Sequence, residues 1–157
     1  MLEIVLPDGN RFSLKNAVFD YNGTLAVDGR IASEVREGLA ELAARIAVHV
    51  VTADTFGLAR EELAGIPGIS LLIIKPGNEA EQKADFVRKV GAENTVCVGN
   101  GANDARMFEV AALAIAVAGQ EGAYVRSLEK ADIVVTRPAD AIKLLLNPKR
   151  IVATLRN

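Results

Sequence analysis

The order of apolar and polar residues along the chain divides it into a short hairpin and a long alternation of strands and helices. Leu2, Ile4 and Leu6 alternate with other residues, Pro7-Asp8-Gly9-Asn10 supplies turn chemistry, and Phe12 and Leu14 resume the alternation. This pattern predicts a β-hairpin over residues 1–15. From residue 17 the alternation stops. Short apolar runs recur at Ala17-Val18-Phe19, Ala47 to Val51, Ser70 to Ile74, Thr95 to Val98, Ala114 to Val117 and Ile133 to Val135. Runs without alternation suit strands covered on both faces, as in a parallel sheet.

Helical spacing fills the intervals. Val35, Leu39, Leu42 and Ile46 share one face of a helix that Ser33 is placed to cap. Phe86, Val87 and Val90 mark a second helix, and Met107, Val110 and Ala111 a third. Ile142, Leu145 and Leu146 mark a fourth, opened by Pro138 at a first-turn position. Strand and helix in alternation predict a three-layer α/β fold with a doubly wound, mostly parallel sheet. Short connections, no repeat and no low-complexity linker predict one domain over 1–157. In such sheets ligands bind beyond the carboxyl ends of the strands, so the residues following each run matter most. These are Asp20-Tyr21-Asn22-Gly23-Thr24, then Thr52-Ala53-Asp54, then Gly99-Asn100-Gly101-Ala102-Asn103-Asp104.

Composition narrows the picture by exclusion. The 157 residues are half hydrophobic and 4% aromatic, with a formal net charge of −2. That balance leaves no basic footprint for nucleic acid or an anionic membrane. The longest apolar stretch, Val110 to Ala118, is far short of the roughly 20 residues that span a bilayer, and Met1-Leu2-Glu3, running straight into alternating sequence, sets the expectation of no secretory leader. Cys97 is the only cysteine, so no internal disulfide forms. The expectation is a soluble, cytoplasmic protein. Cys97 and His49 both fall on predicted strands and read as core or edge residues.

With the residues in view, residues 17 to the end resemble the haloacid dehalogenase superfamily. Within it, the likeness is to the phosphorylation domain of P-type ATPases and their small soluble relatives. Four elements appear in the family's order. Val18-Phe19-Asp20-Tyr21-Asn22-Gly23-Thr24-Leu25 is similar to the Asp-x-Asp-Gly-Thr-Leu signature. Val51-Thr52-Ala53-Asp54 is similar to a strand-ending Thr-Gly-Asp. Glu79-Ala80-Glu81-Gln82-Lys83-Ala84 resembles the lysine-bearing helix start. Val98-Gly99-Asn100-Gly101-Ala102-Asn103-Asp104-Ala105 is very similar to Gly-Asp-Gly-x-Asn-Asp-Ala.

The resemblance implies an aspartyl phosphate on Asp20. Thr52 and the Ala53 N–H would bind phosphate oxygens, Gly23 and Thr24 would shape and brace the turn beneath the phosphate, and Lys83 would offset developing charge. Lys75, before Pro76-Gly77, is the rival for that last role; helical spacing favours Lys83. Asn103 is expected to cap the following helix near the phosphate. Asp54 either caps a helix or organises the site, and the cap is favoured. Asp20, the Asn22 carbonyl, Asn100 and Asp104 would hold Mg²⁺, a hard ion preferring oxygen. The Gly99-Asn100-Gly101 run lacks the third glycine of a dinucleotide loop.

Two departures from the pattern carry consequences. Asn22 stands where phosphatases of the superfamily carry the acid–base Asp, and an amide exchanges no proton near neutral pH. Slow turnover follows, with a preference for acyl, aryl or anhydride phosphates, ATP among them. Asn100 replaces a metal-binding Asp, which weakens magnesium binding without abolishing it. Only Ala26 to Ile31 separates the first element from its helix, enough for a short flap and no cap domain. An open site admits a small phosphate ester or anhydride or a phosphoprotein, and capless relatives often borrow walls from a second subunit, so a homo-oligomer is admitted too. The competing expectation is a catalytically weak phosphoacceptor or regulatory binding module; response regulators also combine an Asp, a Thr or Ser and a Lys.

Overall fold

The computed structural model describes residues 1–54 and 57–156; Thr55, Phe56 and Asn157, within the expected 1–157 span, lie outside that description. Strand β1 (Leu2–Val5) pairs antiparallel with β2 (Arg11–Leu14), as the first alternation predicts. Strand β3 (Asn16–Phe19) begins the main sheet. A miniature hairpin, β4 (Ala26–Val27) and β5 (Arg30–Ile31), follows, turned by Asp28 and Gly29, both at positive φ. This is the flap, and among the described residues no cap domain lies between Asp20 and α1.

The remaining elements alternate. Helix α1 (Ser33–Ala43) leads to β6 (Ala47–Thr52), α2 (Ala59–Leu63) to β7 (Ile69–Ile73), and α3 (Glu79–Val90) to β8 (Thr95–Gly99). Helix α4 (Ala105–Val110) then leads to β9 (Leu113–Val117) and α5 (Val125–Leu128) to β10 (Ile133–Val135), and α6 (Pro138–Leu146) and α7 (Pro148–Leu155) close the chain. Six strands form one parallel sheet in the order β10-β9-β8-β3-β6-β7. This is the expected three-layer α/β architecture.

Apolar side chains cover both faces of the sheet. Phe19, Val48, Val50, Val96, Val98 and Ile115 pack with α1 and α6 residues such as Leu39, Leu42, Ile142 and Leu145. On the other face Val18, Val51, Cys97 and Ala116 meet Val87, Met107 and Phe108. Cys97 is a buried thiol within this second core. His49 is half-buried on β6, its ring edge against Phe86 with centroids 5.3 Å apart.

Two expectations need correction here. Strand β7 is not covered on both faces, because it is the sheet's edge; Leu72 and Ile73 are 37% and 38% exposed. Ser33 does not cap α1: it is the first helical residue, behind Ala32, and no side-chain cap bond forms. Helices α2, α5 and α7 were not anticipated, the first two because four or five residues give too short a window for a 3.6-residue period.

Candidate active site

The site is built where β3, β6 and β8 end, with α3 supplying one long side chain from the flank. Asp20 follows β3 directly, its N–H still donating to the Val98 carbonyl at 2.8 Å, so the sheet itself fixes the carboxylate's root. The chain then winds tightly: the Tyr21 carbonyl accepts N–H bonds from Thr24, Leu25 and Ala26 at 3.2, 2.9 and 3.0 Å. Gly23 adopts φ +76, and a Cβ there would lie 2.3 Å from Asn100 Nδ2, so this position requires glycine twice over. The Tyr21 ring is fully buried and its hydroxyl donates to the Gly29 carbonyl at 2.8 Å, fastening the flap.

Lys83 reaches this loop from the second turn of α3. Its Nζ donates to Asp20 Oδ1 at 2.7 Å and to Asp104 Oδ1 at 2.7 Å, and the side chain is 0% exposed. Lys75 is exposed, and its backbone N–H and carbonyl are instead bonded by the Gln82 side chain. Only Lys83 of the two rivals meets Asp20. Two carboxylates around one ammonium leave the trio with a net negative charge, in a setting where a buried ion is costly unless paired. Burial and the neighbouring Asp104 charge push the Asp20 carboxyl up to about 6, against the pull of Lys83 and the Thr24 hydroxyl. Although burial alone works the other way, the two carboxylates hold Lys83 protonated well above its usual range.

Thr24 joins the first loop to the fourth. Its hydroxyl lies 3.0 Å from Asp20 Oδ2 and 3.1 Å from Asn100 Oδ1. One hydroxyl carries one hydrogen, so it donates to one of these oxygens at a time. Asp104 is fully buried and uses both oxygens: Oδ1 takes Lys83, and Oδ2 takes the N–H groups of Asn100 and Gly101, each at 2.9 Å. Glycine is again needed beside it, since a Cβ on Gly99 would sit 2.5 Å from the Asp104 carboxyl carbon. Asp104, expected among the metal donors, thus acts in this geometry as the counter-ion of Lys83 and the strap of its own loop.

Thr52 ends β6, 2% exposed, and its Oγ accepts the Asp54 N–H at 2.9 Å, which leaves its own hydrogen unused by that bond. Ala53 is half-buried beside it. Asp54, at φ +53, accepts the Ala59 N–H at 3.0 Å and so serves the first residue of α2 from five positions upstream. Asn103 does not cap the following helix: α4 has Asp104 at its N-cap and no side-chain cap bond, while Asn103 Nδ2 donates to Glu79 Oε2 at 3.0 Å. Asn22 Oδ1 is buried without a hydrogen-bond partner among the described residues.

Sequence reasoning missed the loop after β9. Tyr124 N–H donates to the Asn100 carbonyl at 2.8 Å, Asn100 Nδ2 donates to the Gly122 carbonyl at 3.1 Å, and the buried Ser127 hydroxyl donates to the Gly101 carbonyl at 2.8 Å. At the same loop, Glu121 accepts the Asp28 N–H of the flap at 3.3 Å. The rule that located the other loops, polar residues following an apolar run, also points to Gly119-Gln120-Glu121-Gly122 when applied to the fifth run.

Comparison with known proteins places this arrangement. No family model matches the chain. Among solved structures it is similar to the cobalt-bound deoxy-D-mannose-octulosonate 8-phosphate phosphatase of Haemophilus influenzae, with a TM-score of 0.69, 20% identity, and 92% of this chain and 94% of that chain covered. The 3-deoxy-D-manno-octulosonate 8-phosphate phosphatase of Moraxella catarrhalis, in complex with magnesium, phosphate and its sugar acid, gives 0.57 at 21% identity over 92% and 94%. A phosphoserine phosphatase in its apo form gives 0.60 at 22% identity over 85% and 98%. At such identities the likeness speaks for the fold. In sequence, the chain is 38% identical over 87 residues to the uncharacterized protein MJ0073 of Methanocaldococcus jannaschii, covering 53% of this chain and 94% of that protein. The chain belongs to the family of that archaeal protein, on a haloacid dehalogenase-like fold with no cap among the described residues.

Proposed function

We propose that the protein is a phosphohydrolase that passes the phosphoryl group through an aspartyl phosphate on Asp20. One observation supports this most: a carboxylate at the end of the central strand β3 is held between Lys83 and Thr24, with the lysine itself locked by Asp104. A carboxylate fixed on both oxygens is oriented for attack, and a buried ammonium beside it offsets charge as phosphorus is approached. In the first step an Asp20 oxygen bonds to phosphorus and the bond to the leaving oxygen breaks. In the second, water attacks the same phosphorus, releasing inorganic phosphate and the carboxylate. Thr52 and the Ala53 N–H are assigned to phosphate oxygens, with Gly23 and Thr24 shaping the floor and Asn103 on the rim.

The donor set fits a hard divalent cation in kind. Asp20, the Asn22 carbonyl and Asn100 offer oxygen alone, and the buried, unpartnered Asn22 Oδ1 adds an unused acceptor in the same loop. Among the described residues no group of three or more His, Cys, Asp or Glu side chains is set to hold a metal, so the set leans on amides and carbonyls. Bound there, with Asp104 behind Lys83, Mg²⁺ would draw charge from the phosphoryl oxygens. The phosphatases of similar fold support a small phosphate ester or anhydride as substrate. Among the described residues no helix is long and apolar enough to cross a membrane. The single buried thiol suits a cytoplasmic setting, and two cores on the faces of one sheet suit a single domain.

Asn22 favours a second outcome within this reading, a phosphoacceptor that holds its phosphoryl group. An amide neither protonates the leaving oxygen nor activates water, and such help is worth about 10²–10⁴-fold. Asn22→Asp is therefore expected to raise hydrolysis of an alkyl phosphate by about 10²-fold or more. Steady-state phosphate release from alkyl, aryl and acyl phosphates, in Mg²⁺ and in EDTA, checks this. No release from any substrate in either protein would remove the hydrolase reading, and equal rates in Mg²⁺ and EDTA would remove the metal.

A further inference from the structure

We infer that Asn100 is a positioning residue whose amide ties the loop after β9 to the Asp20 loop, making residues 118–124 a fixed side wall of the site. The amide faces a partner at each end, the first of which shares its one hydrogen with Asp20. Oδ1 faces the Thr24 hydroxyl at 3.1 Å, while Nδ2 donates to the Gly122 carbonyl at 3.1 Å, and its plane lies over Gly23 where any Cβ would collide with it. The backbone of Asn100 is used as fully: its N–H goes to Asp104 and its carbonyl takes the Tyr124 N–H. Asn carries its acceptor and its donor on two separate atoms of one short amide, which a hydroxyl or a carboxylate of similar size does not. A carboxylate at 100, the residue type of the resembling pattern, would set an oxygen against the Gly122 carbonyl oxygen and lose the Nδ2 donor that makes this bond.

The tie extends to the flap. Glu121, beside Gly122, accepts the Asp28 N–H, and Tyr21 holds the flap from beneath through Gly29. Asn100, Gly101, Glu121, Gly122, Ala123 and Tyr124 line a shallow depression of about 290 Å³ against this wall. With no cap domain among the described residues, this wall and the flap it is bonded to are the parts of the chain placed to meet the leaving group. The amide at 100 thus replaces a charge with a cross-link between three loops, and the wall it fixes faces the part of the substrate beyond phosphorus.

The test compares wild type, Asn100→Asp and Asn100→Ala in EDTA by amide hydrogen exchange. Both variants are expected to speed exchange at Gly122 and Tyr124 about tenfold, the scale of one lost hydrogen bond. Protection at Val96 and Val98 in the central strand should hold, which reports that the fold is intact. The alanine variant, which adds no charge, keeps the test usable if the aspartate variant unfolds. This part is independent of turnover. The second part rests on the phosphohydrolase reading: with Mg²⁺ and an aryl phosphate, KM should rise about tenfold while kcat moves less, because the wall meets the leaving group. Unchanged exchange at Gly122 and Tyr124 in both variants overturns the tie, even if turnover is intact. Faster exchange with no turnover in any protein keeps the tie and removes the hydrolase. Faster exchange with an unchanged KM removes the wall's role.

Discussion

Asp20→Asn is expected to lower phosphate release by about 10³-fold or more, to the background of the assay, while leaving thermal stability nearly unchanged. The amide is isosteric with the carboxylate and still presents an oxygen to Lys83, so geometry survives while the nucleophile is lost. Stability is expected to hold because Lys83 keeps a one-to-one partner in Asp104, 2.7 Å away. Removing Asp20's charge also removes the burial cost and the repulsion from Asp104 that push its carboxyl up to about 6. Calorimetry and a phosphate-release assay on the same preparation check both halves. An active variant would remove Asp20 from the chemistry, and an inactive variant that has also unfolded would show that the residue's first role is structural.

The second large effect lies at Lys83. Replacing it with Met keeps the length and apolar stem but strands two buried carboxylates, and breaking a buried pair in this way costs about 3–5 kcal/mol. The loss should depend on pH, with a definite sign. In the wild type, Asp20 has a folded pKa of about 6, raised from 3.8. Between those values the folded state keeps a proton that the unfolded state has released. The contribution of this group is then fully present below its unfolded pKa and is lost as pH rises through about 6. Without Lys83 the same tendency strengthens, since the pull toward the charged form is gone. Lys83→Met is therefore expected to be least destabilised near pH 4 and most at pH 7, and Asp104→Asn added to it should recover part of the loss. Urea denaturation at the two pH values measures this. A penalty of the same size at both would mean that packing of the lysine stem, and not its charge, is what the fold requires.

The fold was largely legible because parallel strands declare themselves as unbroken apolar runs. Each of the six runs became a strand of the sheet, displaced by no more than a residue at either end. Their neighbours were not legible. Ser70 to Ile74 reads like a central strand, yet β7 forms the edge, and nothing in Ile-Ser-Leu-Leu-Ile distinguishes the two. Caps failed for a related reason: Ser33 and Asn103 are good cap residues by type, but the first lies inside its helix and the second is drawn across to Glu79. Cap identity depends on where the backbone enters the helix, which composition leaves open. At the site, the first, third and fourth elements carried Thr24, Lys83 and Asp104, which meet Asp20 or its lysine. Spacing did not reveal how Asp104 and Asn100 divide their labour. Asp104 turns inward to Lys83 and two N–H groups, whereas Asn100 spans two loops, an arrangement set by a Gly122 carbonyl that leaves no mark in a side-chain pattern.

Turnover through Asp20 requires a covalent bond between phosphorus and this one carboxylate. Brief incubation with Mg²⁺ and an acyl phosphate, acid quenching and peptide mass spectrometry should find a single phosphoryl group on the peptide carrying Asp20. With Asn22 slowing its hydrolysis, that species should be abundant enough to observe, and it should vanish in Asp20→Asn. Phosphorylation at another residue, or turnover with no phosphoryl group on Asp20 at any quench time, would contradict the account.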